Sequence, residues 1–370
     1  MILNKKTISN VNRMEEHVYR ALRSHISYSD LKLLDSDREK FYITKILGEK
    51  RPEKKSASMI MGDMCHALLS GIEGAFDEKF TLSVHQPPTG QVLTLCENLI
   101  ERSMRSLSEN NEGEMVQQDS FEQIFTDALD ITQYNYKREQ VMFKGKSKEK
   151  VLEMFQETGQ AYYEECMNNL NRTVVTLFDI EKAEKLVKKI REHEFTKEYI
   201  DEPTGNIEVF TELPILYKIN DIECRSMPDK FWVLHDRKEV DWIDWKCSYD
   251  AENGVIGAYI KHGYYLQAAM YTIALEKWCI QQGLHDYKVN PPTFVFLNTD
   301  GFSDPAKFKL KKDDIDRARR GFSYRGRRYL GLDILLSELQ WSLETGIWTT
   351  TKEIYNNNGY LSNPIRYGSL

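Results

Sequence analysis

The stretch from Glu208 to about Gln281 restricts the possible folds most. Three segments, Glu208 to Tyr217, Ile222 to Leu234 and Glu239 to Cys247, are rich in β-branched and aromatic residues and separated by polar turns, which predicts three strands in a meander. A helix from about Ala258 to Gln281 follows, then the apolar run Thr293 to Leu297 behind Pro291-Pro292, then another helix from about Lys312. A strand, strand, strand, helix, strand, helix order builds one sheet with helices packed on it. The expected class is therefore α/β (α+β), with a mixed central sheet whose middle strands are covered on both faces.

Upstream the pattern is helical. Ser147 to Asn171 and Asp179 to Phe195 carry strong helix formers, with Ile180, Ala183, Val187 and Ile190 at helical spacing. Gln86-Pro-Pro-Thr-Gly90 is a break, and the polar run Ser108 to Glu114 reads as a surface loop. The division expected is a mainly helical part over 1–200 and a core over 201–370 ending in a basic segment, the two integrated as one domain. An apolar share of 41% with 29% charged residues is that of a packed chain and excludes a fibrous or disordered one.

No window approaches the roughly 20 apolar residues of a spanning helix, and Met1 to Lys6 lack the apolar run of a signal peptide. A cytoplasmic location and no membrane partner are expected. The six cysteines contain no short CxxC pair, so they read as reduced, mostly buried thiols, not as a disulfide framework or zinc ribbon.

A net charge of -7 at first argues against a polyanionic partner. The distribution reverses that argument locally. Between Pro305 and Leu330 stand ten basic residues (Lys307, Lys309, Lys311, Lys312, Arg317, Arg319, Arg320, Arg325, Arg327, Arg328) against Asp313, Asp314 and Asp316. Within it, Tyr324-Arg-Gly-Arg-Arg-Tyr329 interleaves aromatics with Arg325, Arg327 and Arg328. It is suited to stacking on bases and pairing with phosphates, and equally reads as a solvated helix end.

The sharpest constellation is Ser226-Met-Pro-Asp229 followed by Asp244-Trp-Lys246. In a strand, Asp244 and Lys246 point to one face while Ile243, Trp245 and Cys247 point to the other. Asp229 on the preceding strand can then sit beside Asp244, where two hard carboxylates would hold Mg²⁺ or Mn²⁺. Such an ion lowers the pKa of a bound water and neutralises charge on a scissile phosphate, with Lys246 orienting that water. Asp236 and Asp241 are assigned to turns and solvent.

Pro228-Asp229 with Asp244-Trp245-Lys246 resembles the signature of the PD-(D/E)xK nuclease superfamily. Gly263-Tyr-Tyr-Leu-Gln267-Ala-Ala-Met-Tyr271 resembles the QxxxY helix of its RecB-like and RecE-like, phage-type exonuclease branch. Gln267, Tyr271 and Tyr264 share one helical face, where they would contact a phosphate or brace Lys246. Gly62-Asp-Met-Cys-His66 is similar to the branch's GxxxH helix, which implies His66 as a further metal ligand or, alternatively, a plain helix-face histidine. Ser27-Tyr-Ser-Asp-Leu31 resembles the opening motif of RecE-like members and is expected to set its helix against the site. Glu212 matches an acidic position that faces the cleft in several members; it reads either as an auxiliary ligand or as an exposed strand carboxylate. Trp348 in Thr345-Gly-Ile-Trp348 resembles the closing segment and is expected in the core.

The resemblance implies a Mg²⁺- or Mn²⁺-dependent deoxyribonuclease that digests DNA from an end, in phage-type recombination beside a single-strand annealing protein, and able to form a homo-oligomer. No cysteine follows Cys279, so the iron–sulfur cluster of some members is not expected. An endonuclease of the same superfamily and a non-catalytic DNA-binding module stay open at this point.

Overall fold

A computed structural model describes residues 16–49, 55–110, 115–133, 142–201, 203–249 and 251–360. Met1 to Lys6 and residues 111–114 of the expected loop lie outside them. The chain divides into two compact units, one of residues 1–49 with 190–370 and one of residues 50–189. The boundary thus differs from the expected division at 200: the first 49 residues join the C-terminal part.

After a short helix over Glu16–Ala21, the first unit continues with helix α1 (Tyr28–Ser36), started by a capping box in which the Ser27 hydroxyl accepts from the Asp30 amide and Asp30 accepts from the Ser27 amide. Five strands follow: β1 (Ile207–Thr211), β2 (Ile215–Ile219), β3 (Ile222–Ser226), β4 (Lys230–Leu234) and β5 (Glu239–Ser248). Then come α2 (Ala251–Lys261), α3 (Tyr264–Gln281), β6 (Thr293–Asn298), β7 (Ala306–Lys309), α4 (Lys312–Arg320), the short strands β8 (Phe322–Tyr324) and β9 (Arg327–Tyr329), and α5 (Leu332–Thr345).

The central sheet runs β7-β6-β5-β4-β1, with Lys288–Val289 pairing onto β5 as a sixth strand. β5 and β6 are parallel and the remaining ladders on this path antiparallel, so the sheet is mixed, as expected. The three-strand meander does not form as expected. Pro214 and Pro228 each lack the N–H a ladder requires, and each falls where an expected strand is cut in two. The pieces between them, β2 and β3, pair as a separate hairpin. Ile26 bridges to Cys224 on that hairpin and so fastens the entrance to α1.

The expected helix from Ala258 is likewise two helices, broken at His262-Gly263. Gly263 takes φ +70°, a left-handed conformation, and a Cβ there would sit 3.2 Å from Lys32 Cδ. Apolar residues cover most of α3, including Leu266, Ala269, Met270 and Leu275, which pack on Phe231, Val233, Val240 and Trp242 of the sheet and on Leu335 and Leu339 of α5. A smaller cluster of Ala268, Phe294, Phe296, Leu310 and Ile315 continues along β6. Trp348 stacks on Phe41 and packs against this core, as expected.

The second unit is mainly helical, with Gly90–Arg105, Phe121–Gln133, Lys148–Thr158 and Gln160–Asn168 around a core of Leu95, Leu99, Phe125, Phe143 and Phe155. The expected Ser147 to Asn171 helix breaks at Gly159, where a Cβ would meet Cys96 Sγ at 2.7 Å. Of the expected Ser108 to Glu114 loop, Ser108 and Glu109 belong to the strand Leu107–Glu109, which pairs antiparallel with Met115–Gln117. All six cysteines are free thiols; Cys65, Cys96, Cys224 and Cys279 are buried. Among the described residues no helix is long and apolar enough to cross a membrane.

Candidate active site

The register of β4 on β5 pairs Lys230 with Ile243, which brings Asp229, one residue before β4, to the level of Asp244. Asp229 Oδ2 accepts the backbone N–H of Trp245 at 2.7 Å, so its carboxylate is tied to β5 between Asp244 and Lys246. Strand alternation places Asp244 and Lys246 on the α3 face and Trp245 on the other, where its ring lies 6.4 Å from that of Tyr199. Asp244 is 1% and Lys246 8% exposed, and their side chains form an ion pair. Gln267, three residues into α3, donates its Nε2 to Asp244 Oδ1 at 2.6 Å. The Asp244 carboxylate is therefore held from two sides by different elements.

Aromatic rings enclose the ammonium. Lys246 Nζ lies 4.4 Å from the Tyr264 ring centre and 5.6 Å from that of Phe294, the register partner of Asp244 on β6. Burial disfavours the charged lysine, yet Asp244, Tyr28, Tyr264 and Asp229 together outweigh it and hold its pKa well above the ordinary value. The ion pair with Asp244 thus favours the charged form of Lys246, a cation and hydrogen-bond donor. Burial also pushes the Tyr28 phenol up to about 12, against the pull of Lys246. Folding thus favours the neutral phenol. That contribution to stability is complete below about pH 10 and fades as pH rises towards 12. Tyr28→Phe should flatten this part of the alkaline stability curve, measured as urea midpoints at increasing pH.

The donor chemistry fits a hard divalent cation. Among the described residues no three His, Cys, Asp or Glu side chains gather as a ready ligand set. Mg²⁺ requires less, because one or two carboxylates suffice when waters and substrate phosphate oxygens complete the shell. Asp229 and Asp244 provide two carboxylates on adjacent strands. Beside them Gln267 Oε1 is a buried acceptor with no hydrogen-bond partner, a state that costs about 1–3 kcal/mol if left so.

The sequence matches no protein-family model and no curated protein. Among solved structures, it is similar to a protein of Eubacterium rectale whose crystal structure is described as "Putative exonuclease", with 10% identity, a TM-score of 0.43, and coverage of 96% of this chain and 97% of that one.

Of the residues expected at the site, Asp229, Asp244, Lys246, Gln267 and Tyr264 lie together. Several details differ from expectation. Gln267 braces Asp244, not Lys246: its Nε2 donates to the carboxylate, while Oε1, the one atom that could accept from the ammonium, has no hydrogen-bond partner. Tyr271, one turn deeper on α3, is buried edge-on to Tyr28 at 5.9 Å and beside Trp242 at 5.8 Å, so Tyr264 and not Tyr271 is the α3 phenol that flanks Lys246. Glu212 is 9% exposed and not an open strand carboxylate; it follows β1 at φ +45°, its amide donating to the Asp229 carbonyl at 3.0 Å. Asp241 lies within β5 and accepts from Asn290 Nδ2 at 2.8 Å, contrary to its assignment to a turn, whereas Asp236 does occupy one.

Arg325, Arg327 and Arg328 stand on the β8–β9 hairpin, not at a helix end. Arg325 and Gly326 both have positive φ, the backbone of a tight two-residue hairpin turn. Arg325 lies over Tyr324 and Arg327 over Tyr329, while Arg328 comes within 4.0 Å of Glu353. The hairpin leans on Tyr265, the neighbour of Tyr264, through Phe322 at 5.1 Å. His66 sits on Ala57–Leu69 in the second unit, and its role as a ligand stays an expectation. The residue missing from the expected site is Tyr28. Its signal was available, since it lies in the Ser27 to Leu31 motif, but a tyrosine in a capping sequence does not by itself announce which side chain it will meet.

Proposed function

We propose that this chain is a metal-dependent deoxyribonuclease of the PD-(D/E)xK type that hydrolyses DNA from an end. The observation that carries the reading is the convergence of two carboxylates, Asp229 beside β4 and Asp244 on β5, around one buried lysine that is ion-paired with Asp244. Asp229 and Asp244 would hold Mg²⁺ or Mn²⁺, with Glu212 as a further candidate ligand; the bound ion would supply an acidified water and charge neutralisation at the phosphate.

The chain's own groups do the rest. Gln267 fixes the rotation of the Asp244 carboxylate. Lys246 keeps a positive charge where negative charge grows on the phosphate oxygens, in surroundings dry enough to make that attraction strong. Tyr28 and Tyr271 form the apolar floor that keeps water from relaxing the ion pair. Tyr264 edges the site, and Arg325, Arg327 and Arg328 would follow the DNA backbone. Preference for ends, a recombination setting with a single-strand annealing protein, and homo-oligomer formation rest on the resemblance of the motifs.

The test is incubation with end-labelled linear duplex and with closed circular DNA, each with Mg²⁺, Mn²⁺ or chelator. Loss of the linear form alone, abolished by chelator, is expected. Nicking of the circle would replace the exonuclease by an endonuclease, and no cleavage of either would leave a DNA-binding module.

A further inference from the structure

Three basic side chains stand around the start of α3 without a part in the chemistry above: Lys32 on α1, Lys261 at the end of α2, and His262 in the turn before α3. Lys32 lies along Gly263, where the missing Cβ leaves it room. His262 stacks on the Tyr264 ring, centroids 5.5 Å apart with planes at 30°, and the same ring carries Lys246 Nζ at 4.4 Å. The same tyrosine ring thus touches both the active-site lysine and the histidine. Lys261 and His262 are exposed and Lys32 is half-buried, so the group is open to a ligand.

These groups meet each other, not acids. Burial and then Lys261 hold Lys32 below its usual pKa, and burial, Lys32, Lys261 and Lys246 lower His262 in that order. No carboxylate faces any of the three among the described residues. Three other lysines of this unit are paired with acids: Lys45 with Asp30 at 3.0 Å, Lys307 with Glu198 at 2.9 Å, Lys218 with Glu223 at 2.6 Å. Like charges brought together beside a charged lysine raise the energy of the free protein and lower it again when an anion arrives. α3, 18 residues long, also begins at Gly263 with no side-chain cap, so its positive end adds to the same field.

We propose that Lys32, Lys261 and His262 form a seat for a second backbone phosphate of the bound DNA strand, on the far side of Tyr264 from the scissile one. The seat rests on the nuclease reading, since it takes its meaning from a strand already lying across Lys246. It would set the register of the strand, and Tyr264, in contact with both Lys246 and His262, would lie between the two phosphates. Such contacts position a nucleic acid without reading its sequence.

The test is fluorescence anisotropy of a labelled oligonucleotide duplex, in chelator, across a range of salt. Wild-type protein is compared with Lys32→Ala/Lys261→Ala and with Lys277→Ala/Lys288→Ala, which removes two exposed lysines elsewhere in the unit. The first variant should bind about tenfold more weakly or worse, with a log–log salt slope shallower by about one. A scan with single neutral methylphosphonate linkages should find one position that weakens the wild type and leaves that variant indifferent.

Equal binding by the two double variants, with no linkage read differently, overturns the seat. If the wild type still degrades DNA with metal in that case, the seat alone falls. A wild type that neither cleaves nor binds DNA removes the nuclease reading and the seat with it. The linkage scan on wild-type protein needs no folded variant, so a misfolded variant does not shelter the proposal.

Discussion

Asp244→Ala should reduce metal-dependent DNA cleavage by at least about a thousandfold and lower the free energy of unfolding by about 3 kcal/mol. The first effect follows from loss of a metal-binding carboxylate. The second follows from burial: Lys246, 8% exposed, would keep only Asp229 as a nearby acid, and the Gln267 amide would lose its acceptor. A buried charge stripped of its partner costs far more than the pair contributed when intact. The measurement is urea denaturation alongside cleavage of linear duplex.

A companion variant separates chemistry from packing. Asp244→Leu/Lys246→Met removes both charges and keeps side-chain volume, which is often neutral for a buried pair. It should regain most of the lost stability while cleavage stays absent, the signature of strong coupling in a double-mutant cycle. Retained cleavage in Asp244→Ala would end the assignment of the site. Unchanged stability would mean that Lys246 finds water when its partner leaves.

The parts of the site written in short-range periodicity were legible in the sequence. Asp244 and Lys246 on one face of a strand follow from spacing alone, and Gln267 beneath Tyr264 follows from helical spacing. The class of the sheet was legible too, because β-rich segments, two helix-forming stretches and an apolar strand come in a fixed order. What escaped was punctuation. Pro214 and Pro228 each interrupt a run that looks continuous in residue preference, and only the ladder's need for an N–H shows that β2 and β3 must leave the main sheet. Gly159 and Gly263 cut helices for a similar reason, since close approach by Cys96 and by Lys32 becomes visible only in three dimensions. Tyr28 escaped because its neighbours at the site lie about two hundred residues away along the chain.

Asp229 offers the second large effect and the cleanest separation of structure from chemistry. Its Oδ2 accepts the Trp245 amide at 2.7 Å, an interaction that an asparagine carbonyl can reproduce. Asp229→Asn should therefore fold with stability close to that of the wild type, because one hydrogen bond is kept and a desolvated carboxylate is lost. Metal affinity and cleavage should nevertheless collapse, cleavage by at least about a thousandfold, because a neutral amide is a poor ligand for Mg²⁺ and removes one of the two carboxylates that would share its charge. Asp229→Ala should be equally inactive but also lose about 1–2 kcal/mol, since the Trp245 N–H is left without its acceptor. Titration calorimetry with Mn²⁺, denaturation and cleavage on the three proteins distinguish the outcomes. Mn²⁺ binding by Asp229→Asn as tight as by the wild type would remove Asp229 from the metal. Full stability in Asp229→Ala would show that the tie to Trp245 is dispensable, and that Pro228 alone suffices to deliver the carboxylate to the end of β4.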